Sequence, residues 1–296
     1  MRLFWAKLLV FVILLIVADA VVGTGLKYLY FHQQGEDYCY TTKALDLQDS
    51  TLLILGSSRA RNHYNPAILR DSLGMSCYNA GRSGCFLTYQ SAQLDLILDR
   101  YIPKMIILDV TPYDMNPGGD DYDRLSGLLP YQHHSSWNKV VTKKSVFEPV
   151  KCVSRIYPYN SLLLKMIPNL KDRGEFRSDG FQPLTGVWEG KYENTNGGGS
   201  NVVSETKKQE MLHIVKTCKN HAIRLVMITS PYYGKFTTSK TLEITDSICK
   251  AYQIPYMSFL NDPLFNNVKL FSTGDHLNEQ GADIFTSKVA SLLRER

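Results

Sequence analysis

The sequence lacks every spacing by which cysteines and histidines commonly gather a metal. Its six cysteines (Cys39, Cys77, Cys85, Cys152, Cys218, Cys249) are scattered and form no CxxC pair, which leaves out zinc-ribbon and thioredoxin-type readings. An even number permits disulfides in an oxidising compartment without requiring them in a chain of this size. Charge of one sign is also scarce. Against 28 acidic residues stand 33 basic ones, a net charge of +5 spread along the chain. Pairs such as Lys143-Lys144 and Lys207-Lys208 read as solvated faces, so no nucleic-acid footprint is expected. No metal and no organic cofactor is expected either.

What is present is an ordinary globular composition, 44% hydrophobic and 21% charged over 296 residues, enough for one large α/β domain with a sizeable core. The N-terminus differs in kind. Arg2 and Lys7 precede an apolar run that continues, interrupted by Asp19, to Val22. With its flanks it supplies about 20 residues, enough to cross a bilayer as a helix. Basic residues before the run predict a cytoplasmic N-terminus and an exported remainder, in the periplasm or at the cell surface. Ala18-Asp19-Ala20 also has the small-x-small form of a signal-peptide cleavage site. An acidic residue inside a continuing apolar run favours an uncleaved anchor, with Asp19 near the outer interface. The expected organisation is an anchor or signal segment over 1–27, a linker over 28–50, and an α/β domain over 51–296.

Within that domain the pattern predicts strands over 51–55, 76–79, 105–110, 224–229 and 254–258. The third and fourth are nearly continuous aliphatic runs, as buried parallel strands are. Helical periodicity occupies 66–73, 89–98, 204–220, 239–252 and 279–293, with Asn278 as cap of the last. This alternation predicts a parallel sheet covered by helices on both faces, with sites at the carboxyl ends of strands. It breaks between about 115 and 200, a stretch rich in Tyr, Asp, Gly and Pro that includes Gly197-Gly198-Gly199. That stretch reads as an insertion over the strand ends, either shaping a substrate site or serving as a structural flap.

Two segments carry chemistry. In Leu52-Leu53-Ile54-Leu55-Gly56-Ser57-Ser58-Arg59 an apolar strand runs into a small-residue turn with hydroxyls at its tip. In Gly274-Asp275-His276-Leu277-Asn278 a histidine stands beside a carboxylate just before the last helix. Serine and histidine are the raw material of nucleophilic acyl chemistry, and backbone N–H groups at such a turn can hold an oxyanion. A helix cap or an anion-binding turn is the competing reading of the serines. Arg59 and Arg82 stand where an anionic substrate group could be held bidentately; salt bridges to the domain's own carboxylates are the alternative.

The ordered set Gly56-Ser57-Ser58, Asn79-Ala80-Gly81-Arg82-Ser83-Gly84 and Asp275-His276-Leu277-Asn278 resembles the SGNH (GDSL-type) hydrolase superfamily. It is most similar to the membrane-anchored envelope branch, which includes proteins of polysaccharide O-acetylation and of D-alanyl transfer to teichoic acids. The resemblance implies a three-layer αβα sandwich around a five-stranded parallel, flavodoxin-like sheet. It implies Ser58 as nucleophile, His276 as base, and the backbone N–H groups of Ser58 and Gly84 as oxyanion donors. Two positions depart from the family. Tyr113 stands where the third block has an asparagine donor, and a phenol there would have a different reach. Thr273 stands where the acid usually precedes the histidine by three residues, and the adjacent Asp275 could orient the imidazole only in an unusual loop geometry.

The expectation is therefore an exported, membrane-anchored serine esterase or O-acyltransferase acting on acyl esters of envelope glycans or lipids. The alternative is a catalytically silent domain that binds envelope polysaccharide or partners a membrane acyltransferase.

Overall fold

The computed structural model describes residues 1–34, 40–47, 49–118, 121–170, 177–190 and 201–295. Cys39 and the glycine run 197–199 lie outside the described residues. The chain divides into two units, Met1–Thr42 with Tyr122–Phe176, and Lys43–Asp121 with Arg177–Arg296.

The first unit is built on helix α1 (Arg2–Phe31). The helix is long and apolar enough to cross a membrane, and its residues 2–18 are exposed on every side. Beyond them, Asp19, Gly23, Leu26 and Tyr30 recur at helical spacing on one face that is buried or half-buried. Such spacing is what one packed face of a helix requires. Tyr30 sits between the rings of Tyr131 and Tyr159, at 5.9 and 5.6 Å. The turns Tyr157–Tyr159 and Leu163–Met166 pack on α1.

The second unit holds the sheet. Strands β1 (Leu52–Leu55), β2 (Cys77–Asn79), β3 (Met105–Asp109), β4 (Arg224–Thr229) and β5 (Tyr256–Ser258) are all parallel, in the order β2-β1-β3-β4-β5. That is the flavodoxin-like order. Every residue of β1 and β3 is buried, which explains why they read as unbroken aliphatic runs. Helices α2 (Ser58–His63), α3 (Pro66–Leu73) and α7 (Glu279–Arg294) share one face of the sheet. Helices α4 (Leu87–Leu98), α5 (Glu205–Asn220) and α6 (Lys240–Tyr252) share the other.

Alternate residues serve the two layers, as the pleat demands. Leu52, Ile54, Ile107, Val226 and Ile228 join Phe285, Val289 and Leu293 of α7 in one core cluster, while Met227 faces Cys249 of α6. Among the described cysteines, Cys77, Cys85, Cys152, Cys218 and Cys249 are not disulfide-bonded. A short antiparallel pair that the periodicity does not announce, β6 (Phe271–Thr273) with β7 (His276–Leu277), precedes α7.

Candidate active site

The site forms where β1 ends. Gly56 has φ 151°, and a Cβ there would stand 2.6 Å from Ala60 Cβ and 3.0 Å from Asp109 Cβ. Only glycine permits so close a turn. Ser57 then takes the N-cap position and Ser58 begins α2. The second block is sewn to the first: Ala80 N–H donates to Ile54 C=O and Arg82 N–H to Gly56 C=O, each at 2.9 Å. Gly84 follows in that loop with φ 68°, again in the left-handed region.

The β6–β7 pair delivers the histidine. Thr273 pairs with His276 across the two-residue loop Gly274-Asp275. His276 Nε2 lies 2.8 Å from Ser58 Oγ, well within reach of a general base. On its other side, Nδ1 lies 3.0 Å from Asp275 Oδ1 and 3.1 Å from Thr273 Oγ1. The Thr273 hydroxyl donates to the same Asp275 oxygen at 2.7 Å and accepts from His276 N–H at 3.1 Å. This network suits a proton on Nδ1 and a lone pair on Nε2. The hydrogen bond from His276 holds the Asp275 carboxyl well below the usual carboxylate range.

Adjacency of acid and base thus proves no obstacle. The tight loop folds Asp275 back over its neighbour, and Thr273, three residues before the histidine, joins the network as a hydroxyl rather than an acid.

Arg59 departs from its expected role in substrate binding. Its side chain is fully buried and engaged within the protein. It donates to the backbone carbonyl of Asp275 at 3.2 Å, to the hydroxyl of Ser230 at 2.9 Å and to the carbonyl of Ser230. Its Nε lies 3.9 Å from Asp109, and its guanidinium stacks 3.7 Å from the Tyr232 ring centroid. A buried arginine must be satisfied internally, and these contacts engage the group within the protein. Asp109 is likewise buried, accepting from Tyr64 Oη at 2.7 Å; burial raises its pKa although Arg59 opposes the shift.

Arg82 is half-buried and donates to Tyr89 Oη at 2.9 Å. Tyr113, also half-buried, shares a hydrogen bond with Tyr232 and lies close enough to Arg59, Asp114 and Asp275 to feel their charges. Burial raises the pKa of its phenol, keeping it a neutral O–H donor.

His63 was not anticipated from the sequence. It is fully buried at the end of α2, and its Nε2 accepts from Leu277 N–H at 3.0 Å while Nδ1 meets Ser230 Oγ at 3.0 Å. Burial first, then Arg59, holds its pKa well below the ordinary value of 6.5. The neutral ring therefore pins the residue that follows His276, as Arg59 pins the one before. Trp188 was missed as well. Its backbone N–H donates to Phe271 C=O at 2.8 Å, and its ring packs 5.4 Å from that of Tyr233, bracing β6.

A cleft of about 670 Å³ opens beside Tyr232 and Phe236, with neither Ser58 nor His276 in its wall.

No protein-family profile and no curated protein matches the chain. Solved structures similar in fold include the following two. One is a protein described as lipolytic and of the G-D-S-L family from Desulfitobacterium hafniense DCB-2, 12% identical, covering 82% of this chain and 99% of that one with a TM-score of 0.43. The other is described as an acylhydrolase from Bacteroides fragilis NCTC 9343, 10% identical, covering 88% of this chain and 99% of that one with a TM-score of 0.40. Likeness at this level carries no argument about chemistry, so the functional reading stands on the site itself.

Proposed function

We propose that the chain is a membrane-anchored serine esterase or O-acyltransferase. The carrying observation is the hydrogen-bonded chain Ser58–His276–Asp275, closed at 2.8 and 3.0 Å. Ser58 Oγ attacks an ester carbonyl while His276 Nε2 takes its proton. The oxyanion is held by the N–H groups of Ser58 and Gly84, with the Tyr113 hydroxyl as a third donor. As the carbonyl re-forms, His276 returns the proton to the departing alcohol and leaves an acyl-Ser58 ester. Water then attacks in hydrolysis, or a sugar hydroxyl in transfer, and the histidine takes and returns a proton again. Asp275 holds the ring and offsets the imidazolium charge as it forms.

In this reading α1 anchors the chain and the sheet unit works on acylated glycans or lipids outside the cytoplasm, alone or beside a membrane acyltransferase. The expected 1–27 anchor continues through Phe31 as one helix, and residues 122–176 group with it, leaving 43–121 and 177–296 as the working domain. Arg82, half-buried next to the second block, is the remaining candidate for an anionic substrate group.

The test is covalent labelling of the full-length chain with a serine-directed fluorophosphonate. Labelling is expected in the parent and lost in Ser58→Ala and His276→Ala. Labelling that persists in Ser58→Ala, or its absence from a correctly folded parent, refutes the enzymatic reading.

A further inference from the structure

Beyond α1, with Ile102, Val187, Val202 and Leu264 exposed elsewhere, one segment of the first unit carries most of the strongly exposed large apolar side chains. Val146, Phe147, Val150, Val153, Leu164 and Ile167 are each at least 65% exposed, Val153 at 81% and Leu164 at 94%. Isolated exposed aliphatics are ordinary, but a cluster of this kind marks a surface with a partner. The same stretch is basic: between 143 and 167 lie Lys143, Lys144, Lys151, Arg155 and Lys165 against the single acid Glu148. Glu148 is itself paired with Lys151 at 2.9 Å.

This segment is fastened to α1 at a definite height. Asp19 accepts from Ser154 Oγ at 2.5 Å, Arg155 N–H at 2.8 Å and Ile156 N–H at 3.4 Å. A Cβ on Gly23 would stand 2.4 Å from Arg155 Cβ, so only glycine admits the contact. At ~1.5 Å per residue, the helix from Arg2 to Val22 rises about 30 Å, the thickness of a bilayer's hydrocarbon core. Gly23 and Lys27 therefore stand at headgroup height, with Arg155 and its neighbours Ser154 and Ile156 beside that end of the helix.

A cavity of about 390 Å³ opens at that height, lined by Gly23, Lys27, His133, Arg155 and Tyr159 among others. No carboxylate is among the described residues lining it. Basic groups at headgroup height attract anionic lipid, and interleaved apolar side chains submerge beneath them.

We infer that this unit rests on the membrane its own helix crosses, with the apolar side chains of 146–167 entering the lipid interface and the Lys27–Arg155 cavity holding the phosphate of an anionic lipid headgroup. The inference rests on the anchor reading above. It goes further in giving the folded unit, not the helix alone, a lipid-binding surface with a headgroup preference.

Two experiments on the full-length chain test it. In nanodiscs containing a phosphatidylcholine with a photoactivatable acyl chain, crosslinks are expected in both α1 and 146–167. Crosslinks in α1 alone overturn this inference, leave the anchor standing, and point to a protein covering the patch. Crosslinks in neither overturn both.

By native mass spectrometry in detergent, phosphatidylglycerol adducts are expected to exceed phosphatidylcholine adducts. They should fall roughly tenfold in Lys27→Ser with Arg155→Ser, and by a smaller factor in Lys27→Ser alone, whose exposed side chain is no part of the core. Equal adducts of the two lipids overturn the headgroup site. Displacement of phosphatidylglycerol by equimolar inorganic phosphate overturns the lipid as its source.

Discussion

Replacing Asp275 by asparagine tests whether an acid adjacent to its histidine can do the work of a triad carboxylate. Asparagine keeps an acceptor 3.0 Å from His276 Nδ1 and removes the charge. A unit charge opposite the nascent imidazolium at that distance is worth roughly 1.4 kcal/mol at the dielectric of water and roughly 5.5 kcal/mol at an effective value of 20. The Asp275 side chain is 45% exposed, so screening places the effect toward the lower bound, at about 2 kcal/mol. That corresponds to a loss of roughly 30-fold in the rate of Ser58 acylation, against about 10⁴-fold for the buried acid of a serine protease triad.

The Thr273 hydroxyl, 3.1 Å from the same nitrogen, still orients the ring and limits the loss. The assay is the second-order rate of fluorophosphonate labelling at pH 7, with thermal unfolding measured alongside. A rate within about threefold of the parent at unchanged stability would show that the carboxylate does not act on the imidazole. A loss of about 10⁴-fold would show that exposure does not screen it.

Three further outcomes follow from the buried groups around the site. Arg59→Leu leaves the Asp109 carboxyl uncompensated in the core, at a cost of about 3–5 kcal/mol in denaturant unfolding; adding Asp109→Asn should recover part of it, and no recovery would refute the pairing. His63 has its folded pKa pushed below 6.5, so the unfolded chain takes up its proton first. Stability should fall as pH drops from about 6.5 toward 5, with a slope of up to ~1.4 kcal/mol per pH unit that His63→Gln removes; identical slopes in parent and variant would contradict the neutral buried ring. Gly56→Ala forces a Cβ to within 2.6 Å of Ala60 Cβ at a φ that side chains avoid, so about 2 kcal/mol of stability and most of the labelling should disappear. Unaltered labelling in that variant would mean the turn does not set the Ser58 geometry.

Several elements were legible because their physics is local. Strands β1, β3 and β4 are continuous aliphatic runs, and such a run finds enough apolar surroundings only inside a covered parallel sheet. Asn278 was readable as a cap, and its side chain accepts from Gly281 N–H at 3.0 Å. Ser58 follows a strand and His276 precedes a helix, and the family resemblance carried by their motifs is what joined them as a pair. The departures from local logic were not legible. Arg59 follows Ser58, and a charged residue beside a nucleophile looks like a substrate contact until Asp109 and Ser230 are seen to consume it. His63 lies on a short helix with nothing in its neighbours to mark it, because its partners Ser230 and Leu277 are 167 and 214 residues away.

By itself the sequence determined the alternation of strands and helices and the apolar N-terminal helix, for which periodicity and propensity suffice. The serine turn and the histidine segment were connected only through a family resemblance. Tertiary structure alone decided that the Gly274-Asp275 loop turns a carboxylate back onto its neighbouring imidazole. It likewise decided that Arg59 braces the site from within, and that Asp19 ties the apolar helix to Ser154, Arg155 and Ile156. The last two depend on groups 135 to 216 residues apart being brought together, and no local pattern encodes which distant partner a charged side chain will meet.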